Sequence, residues 1–318
     1  MHVIKLDTEK INIKVLDETA PLEAVILGIA SDLGDPMPIE YSVDPKSKLH
    51  KKMGTFPLES DLRRENEAFA RVFAKHGVRI YRPKNLPKEN QIFARDIGFV
   101  VDNVFIKGNM GLAAREPEFT AVWEIVVNIA QEVWFPPQEV KIEGGDVFPY
   151  KNYIFVGQAA RGCEAMKCNR TNKPALEYLQ AKFPHKKVIP IPLYKSDNDP
   201  MGNCLHLDCA FQPVGNNDHC IVFREGFENQ TDADFLVNLF GGKENCFEIT
   251  KEQMYHMNSN VFSISPKVVV SGDNEKEFGA LNKWLESIGL LVEKIPYSET
   301  AKMEGLLRCS TLPLRRTY

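Results

Sequence analysis

The chain has 318 residues, of which 43% are hydrophobic, so it is long enough to bury a sizeable core. Its 39 basic and 43 acidic residues are spread along the whole chain and give a net charge of -4, which argues against nucleic acid or acidic lipid as a partner. No stretch approaches the roughly 18 apolar residues that span a bilayer, so we expect a cytoplasmic protein that acts on a small molecule without a membrane partner.

Pairs of short apolar strands joined by turns recur along the chain. Their turns contain Asp-Asn, Lys-Asn, Gly-Asn-Asn-Asp or Ser-Pro-Lys, which are typical of β-hairpins. The four predicted hairpins cover residues 97–108, 146–157, 209–223 and 260–272.

Stretches with the apolar spacing of a helix lie between these hairpins, so each unit combines a hairpin with a helix. The predicted helices cover residues 118–133, 175–183, 232–240 and 277–289. A fifth unit can be assembled from the apolar segment 21–30, a helix over 62–77 and the C-terminal LRCSTLPLRR, which would close a circle between the chain ends. The repeats predict one cyclic α/β domain over residues 1–318.

A cluster of polar residues stands before three of the hairpins and in the closing segment. Acidic residues and glycine are common where loops lead into strands, so one cluster alone would mean little. Because equivalent positions in a circular fold converge on its axis, we expect four clusters to meet in one central pocket. The clusters are Arg95-Asp96, Glu143-Gly144-Gly145-Asp146, His206-Leu207-Asp208 and Arg308-Cys309.

The expected pocket contains the groups needed for covalent catalysis. Cys309 is the candidate nucleophile, and His206 can take or return protons while a thiolate attacks. Glu143 is predicted to orient His206 and to stabilise its charged form. Taken singly, a cysteine is more often buried filler and a histidine in a strand is more often structural, so the prediction depends on their being together.

Carboxylates in the same pocket indicate a cationic substrate, because an acyl-transfer site would not surround a developing oxyanion with negative charge. Carboxylates bind a planar guanidinium through paired, charge-assisted hydrogen bonds, and Asp96 and Asp208 are expected to do so on either side of Cys309. We predict that Cys309 attacks the guanidinium carbon and that His206 protonates the departing amine, then activates water against an S-alkylthiouronium intermediate. We expect neither a cofactor nor a metal.

The chain resembles the guanidino-modifying enzymes, also called penteins or the amidinotransferase family, in an ordered set of motifs: PLEAVILG, FARD, EGGDV, HLD, MNSNV and LLRCSTLP. Arginine deiminase, dimethylarginine dimethylaminohydrolase and arginine:glycine amidinotransferase belong to this superfamily. The resemblance covers almost the whole chain and implies a five-bladed α/β propeller of pseudo-fivefold hairpin-plus-helix units. It implies the same roles for Asp96, Asp208, Glu143, His206 and Cys309.

The resemblance extends to residues for the amino-acid end of a substrate. Asn90 and Arg115 stand where arginine deiminases hold the amino-acid carboxylate. A second arginine usually follows a hairpin, and an insertion here leaves two candidates, Arg161 by spacing and Arg170 by its RTN motif. Arg170 is favoured because RTN leads straight into a predicted helix.

The insertion also carries Cys163 and Cys168, which lack the second pair of ligands that a structural zinc site needs. Buried or loop thiols are therefore expected. Two segments rich in Pro, Asp and Gly, 31–57 and 194–204, are either flexible lids over the pocket or inert surface loops.

Three functions remain open. The first is a hydrolase of free or substituted arginine that yields citrulline plus ammonia or an alkylamine, and the second is an amidinotransferase that passes the amidino group to an amine. The third, a non-catalytic pentein that only binds, is disfavoured because it would not need a nucleophile, a base and paired carboxylates together. A homo-oligomer is compatible with the sequence.

Overall fold

The structure, a computed structural model, describes residues 11–36, 38–163 and 169–318. Within these ranges the strands form five sheets of three strands each. The strands are β1 (Leu22–Leu27), β2 (Arg79–Tyr81), β3 (Gly98–Val101), β4 (Val104–Lys107), β5 (Glu132–Trp134), β6 (Val147–Tyr150), β7 (Tyr153–Ala159), β8 (Lys187–Leu193), β9 (Phe211–Val214), β10 (His219–Val222), β11 (Cys246–Glu248), β12 (Phe262–Ser265), β13 (Val268–Gly272), β14 (Leu291–Ile295) and β15 (Thr311–Arg316). The α-helices are α1 (Pro45–Lys52), α2 (Glu59–Lys75), α3 (Thr120–Ile129), α4 (Lys173–Lys182), α5 (Gln230–Leu239), α6 (Lys251–Tyr255), α7 (Glu275–Ser287) and α8 (Ser298–Ala301).

Each sheet, or blade, joins an antiparallel hairpin to a third strand that runs parallel to the hairpin's second strand. A parallel neighbour requires a crossover connection, and a helix supplies it in every blade. The repeated unit is therefore β-β-α-β. The five crossover helices are α3, α4, α5, α7 and α2.

The blade that contains both ends of the chain closes the circle. Strand β15 pairs antiparallel with β1, with Leu27 opposite Thr311, and β1 pairs parallel with β2. The five predicted hairpin-plus-helix units and the five-bladed α/β propeller are thus confirmed. The third strands were not predicted. Three of them, β2, β5 and β11, have only three residues each and bury no side chain fully.

The predicted helix over 118–133 is wrong in its last four residues, 130–133. Helix α3 ends at Ile129, and residues 132–134 form β5, which pairs with β4 from Val104 to Ile106. The apolar run through this segment suits either structure, and pairing with the exposed edge of β4 decides it.

Helix α2 illustrates how the helices are fixed in place. Its buried Leu62, Phe69 and Phe73 lie on one face, while Arg63 is exposed. The rings of Phe69 and Phe73 stack with centroids 4.4 Å apart, and Phe262 of β12 meets both rings edge-on.

None of the helices among the described residues combines the length and the apolarity needed to cross a membrane.

Candidate active site

The segments that lead into the first strand of each blade meet at the axis of the propeller. They bring together Asp96, Glu143, His206, Asp208 and Cys309, which are all buried. Asp96, Glu143 and His206 each place one side-chain atom within 4.8 Å of the others, and the Sγ of Cys309 lies 3.6 Å from Oδ2 of Asp208. The structure therefore gathers the five residues that the sequence predicts for the centre of the pocket.

His206 is held between two carboxylates. Its Nε2 is 2.9 Å from Oε2 of Glu143, and its Nδ1 is 3.6 Å from Oδ1 of Asp96. The other oxygen of Glu143 accepts a hydrogen bond of 2.8 Å from the N–H of Gly111. Gly145 packs so closely on this group that a Cβ there would come within 2.6 Å of His206 Nδ1, so the motif EGGDV needs a glycine at that position.

The charges around His206 favour its protonated form. Burial lowers the pKa of His206, but the carboxylates of Asp96, Asp146 and Glu143 outweigh it and raise the pKa to about 9. For Glu143, burial raises the pKa, but Arg170 and His206 outweigh burial and lower the pKa. The pair is therefore a carboxylate beside an imidazolium.

The raised pKa of His206 predicts a pH-dependent stability. An unfolded histidine has a pKa of about 6.5, so the folded state binds this proton more tightly. The stabilisation is complete below about pH 6.5 and is lost as pH rises through about 9, a change on the order of 3 kcal/mol in the free energy of unfolding. Urea unfolding at about pH 6 and about pH 9.5 should show a larger decrease for the unmodified protein than for His206→Gln. Equal decreases would assign the effect to other groups.

Asp96, Glu143 and His206 are also the described residues whose ligand atoms lie close enough together to share a metal ion. A protonated imidazole has no lone pair for a metal, because both ring nitrogens are then donors. The 2.9 Å contact between His206 and Glu143 is a direct hydrogen bond that a metal would have to break. We therefore interpret the group as an acid–base pair, and the absence of a metal from the chemistry stays a prediction.

Cys309 lies against an asparagine that the sequence analysis did not include. Nδ2 of Asn260 donates to Sγ of Cys309 over 3.2 Å, and the N–H of Cys309 donates to Oδ1 of Asn260 over 3.1 Å. Burial raises the pKa of Cys309, and Asp208 and Asp96 raise it further, so the thiol is neutral here. Asn260 stands in the segment that leads into β12, and its place in the repeat was the signal that could have identified it.

Arg308 fixes Asp208 beside the thiol. Its NH1 is 2.9 Å from Oδ2 of Asp208, and its Nε and NH2 bind the buried Glu18 at 3.2 and 3.0 Å. The guanidinium also lies 3.7 Å from the ring centroid of Phe148. Arg308 is fully buried, so it is a structural cation that holds one carboxylate of the site in position.

Arg115 and Asn90 border a cavity of about 600 Å³ together with residues from 33–62. The guanidinium of Arg115 pairs with Oδ2 of Asp96 at 2.8 Å and with both oxygens of Glu118 at 2.8 and 2.9 Å. Arg115 is thus held in place by two carboxylates.

Arg170 and Arg161 lie in different surroundings. Arg170 is buried, with NH1 at 3.6 Å from Glu143 and NH2 at 2.9 Å from Asp44. Arg161 is exposed, and its backbone N–H donates to Glu228. The structure thus brings Arg170, and not Arg161, to the predicted catalytic group.

The segments 31–57 and 194–204 both lie beside the site. Residues of the first line the cavity, and Nζ of Lys48 links it to the second through the carbonyl of Asp197 at 3.2 Å. In the second, Lys195 donates to the carbonyl of Leu205, directly before the histidine. Cys163 donates its thiol hydrogen to the carbonyl of Lys195, and Cys168 lies outside the described residues.

Solved structures with the same fold include enzymes that act on guanidino groups. SxtG, an amidinotransferase from Microseira wollei, matches with a TM-score of 0.73 and 15% identity over 96% of this chain and 98% of its own. An inosamine-phosphate amidinotransferase from Streptomyces griseus matches with a TM-score of 0.74 and 16% identity over 96% and 97%. The N-terminal domain of ArgZ, an arginine dihydrolase from cyanobacteria, matches with a TM-score of 0.72 and 15% identity over 92% and 98%. At these identities the likeness shows the fold.

Two sequence comparisons go further. An uncharacterised protein of Bacillus subtilis (strain 168), YkgA, is 26% identical over 227 residues, which are 71% of this chain and 70% of YkgA. The model of the family described as N,N dimethylarginine dimethylhydrolase, eukaryotic, matches residues 48–283. With most of its length matched and its five blades in place, the chain belongs to this family, within the guanidino-modifying pentein superfamily.

Proposed function

We propose that the protein is a hydrolase that attacks the guanidinium carbon of free arginine or a substituted arginine and releases citrulline plus ammonia or an alkylamine. The observation that carries this proposal is a buried thiol beside one carboxylate, with a histidine held between two further carboxylates in the same buried cluster. We also propose that residues 1–318 make up a single catalytic domain.

In the first step, the carboxylates of Asp96 and Asp208 bind the guanidinium on either side of Cys309. Burial raises the pKa of Cys309, and the charges of these two carboxylates raise it further. A bound cation would offset their charge. The substrate therefore promotes loss of the thiol proton to solvent, and the resulting thiolate attacks the substrate. A bond forms from Sγ to the guanidinium carbon.

His206 then acts first as an acid and afterwards as a base. As an imidazolium it donates its proton to the departing nitrogen, the C–N bond breaks, and ammonia or an alkylamine leaves an S-alkylthiouronium on Cys309. The neutral imidazole next takes a proton from water, whose oxygen attacks the thiouronium carbon. The C–S bond then breaks, the hydroxyl proton passes to the departing sulfur to restore the thiol, and citrulline leaves. Glu143 keeps the ring oriented and stabilises its charged form throughout.

Asn90, Arg115 and Arg170 are proposed to bind the amino-acid end of the substrate. Asn90 and Arg115 border the 600 Å³ cavity, and Arg170 approaches Glu143 from the side of α1. Because Arg115 also holds Asp96, Arg115→Ala should impair turnover of arginine and of its decarboxylated form, agmatine. A residue that binds only the substrate carboxylate would instead impair turnover of arginine and leave turnover of agmatine unchanged.

Product analysis tests the proposed reaction. Arginine, monomethylarginine and dimethylarginine are each incubated with the protein, with and without glycine as an amine acceptor. We expect citrulline together with ammonia, methylamine or dimethylamine, in amounts that glycine does not change. Formation of ornithine and guanidinoacetate would instead identify an amidinotransferase, and no turnover of any compound would favour a protein that only binds. The description of the matched family as a dimethylhydrolase supports water as the acceptor.

A further inference from the structure

Asp44 directly precedes helix α1, but its side chain does not cap the helix. An N-cap aspartate normally accepts hydrogen bonds from the first turn of its helix, but Asp44 makes no such bond. Its Oδ1 instead lies 2.9 Å from NH2 of Arg170, which is 126 residues away in the chain. The side chain of Asp44 therefore serves a contact outside its own helix.

Arg170 is a cation that needs negative partners, because its side chain is only 2% exposed. One partner is Glu143, which is 0% exposed and also binds His206. Another is Asp44, whose side chain is 26% exposed and borders the cavity. Of the two carboxylates, Asp44 is the one that can leave Arg170 without exposing a buried charge.

A substrate carboxylate that reaches Arg170 offers the same chemistry as Asp44. In both cases a carboxylate oxygen accepts from the guanidinium, so one can replace the other without a change in the charge around the arginine. The other predicted carboxylate-binding residue, Arg115, is already bound by Asp96 and Glu118, and both of these are buried. Exchange at Arg170 is therefore the least costly way to admit a carboxylate.

We propose that Asp44 is a specificity-determining residue that competes with the substrate carboxylate for Arg170. This inference rests on the proposed function. Guanidino acids must displace Asp44 and bind more weakly for that reason, whereas a guanidino amine without a carboxylate leaves the Asp44–Arg170 contact in place. Asp44 thus narrows the difference in affinity between these two classes of ligand.

The test measures binding by calorimetry in the Cys309→Ser background, which blocks chemistry. The ligands are arginine, δ-guanidinovalerate, which lacks the α-amino group, and agmatine, which lacks the carboxylate. Asp44→Asn should tighten arginine and δ-guanidinovalerate about tenfold, in line with a tethered competitor at millimolar effective concentration, and should not tighten agmatine. Asp35→Asn is the matched control, because Asp35 lines the same cavity and its change alters the charge without touching Arg170. We expect the control to change each affinity less than about twofold.

Three results would overturn the inference. Unchanged affinity for both carboxylate ligands would make Asp44 a bystander, and equal tightening of all three ligands would indicate a general effect on the cavity. Weaker arginine with unchanged δ-guanidinovalerate would mean that Asp44 binds the α-ammonium group instead. A failure of the proposed function looks different: the unmodified protein would form no citrulline in the product analysis, whatever the affinities measured here. Thermal unfolding of each variant without ligand verifies that the fold is retained.

Discussion

Replacement of Cys309 by serine should abolish turnover of every guanidino substrate while leaving the fold intact. A serine hydroxyl is a far weaker nucleophile toward a guanidinium carbon than a thiolate, so we expect a loss of at least about a thousandfold in kcat. The hydroxyl can still donate to Asp208 and accept from Asn260, which are the polar partners of Sγ. Little stability should therefore be lost.

A neighbouring cysteine provides the control for this experiment. Cys209 is also buried, and its Sγ lies 3.8 Å from Oδ1 of Asp208, whereas Cys309 contacts Oδ2. Cys209→Ser should keep most of the activity. Citrulline formation and thermal unfolding are measured for both variants. Normal turnover by Cys309→Ser, in a preparation free of the unmodified enzyme, would remove Cys309 from the mechanism.

Asp208→Asn should lose both turnover and stability. The buried guanidinium of Arg308 lies between Asp208 and Glu18, and the change leaves it with one carboxylate where it had two. Removal of one partner from a buried ion pair typically costs about 3–5 kcal/mol in the free energy of unfolding. In the native protein, burial lowers the pKa of Arg308, but the charges of Glu18 and Asp208 outweigh burial and raise the pKa, so Arg308 stays charged.

The matched variant is Asp96→Asn. Its partner Arg115 keeps both hydrogen bonds to Glu118, so the loss of stability should be clearly smaller. Binding of arginine should weaken in both variants, because each loses a charged acceptor for the guanidinium. Urea unfolding gives the stabilities, and calorimetry in the Cys309→Ser background gives the affinities. Equal stability of Asp208→Asn and the unmodified protein would contradict the structural role of the pair with Arg308.

The repeat pattern allowed the sequence to predict the five blades and the convergence of their leading loops. Hairpins are local, with turn residues that identify them, and Asp96, Glu143, His206 and Cys309 are types whose chemistry draws attention. Asn260 was missed because an asparagine has no such chemistry, although MNSNV occupies the equivalent place before its hairpin. The position of a residue in a repeat is therefore as informative as its type.

Contacts between distant parts of the chain could not be predicted from the pattern. The partners Arg308 and Glu18 are 290 residues apart, and Asp44 and Arg170 are 126 apart. Spacing alone favoured Arg161, because the insertion displaced the second arginine along the chain. The local motif RTN was the better guide, since it is tied to the start of α4 and carries Arg170 to Glu143.

The most direct test of the account is the mass of the intact protein after rapid acid quenching during turnover of arginine. We predict an added mass equal to arginine less ammonia, which peptide mapping places on Cys309 and which does not form in Cys309→Ser. An adduct on any other cysteine, or steady citrulline formation with no adduct under conditions that trap the intermediate of a known deiminase, would contradict covalent catalysis by Cys309.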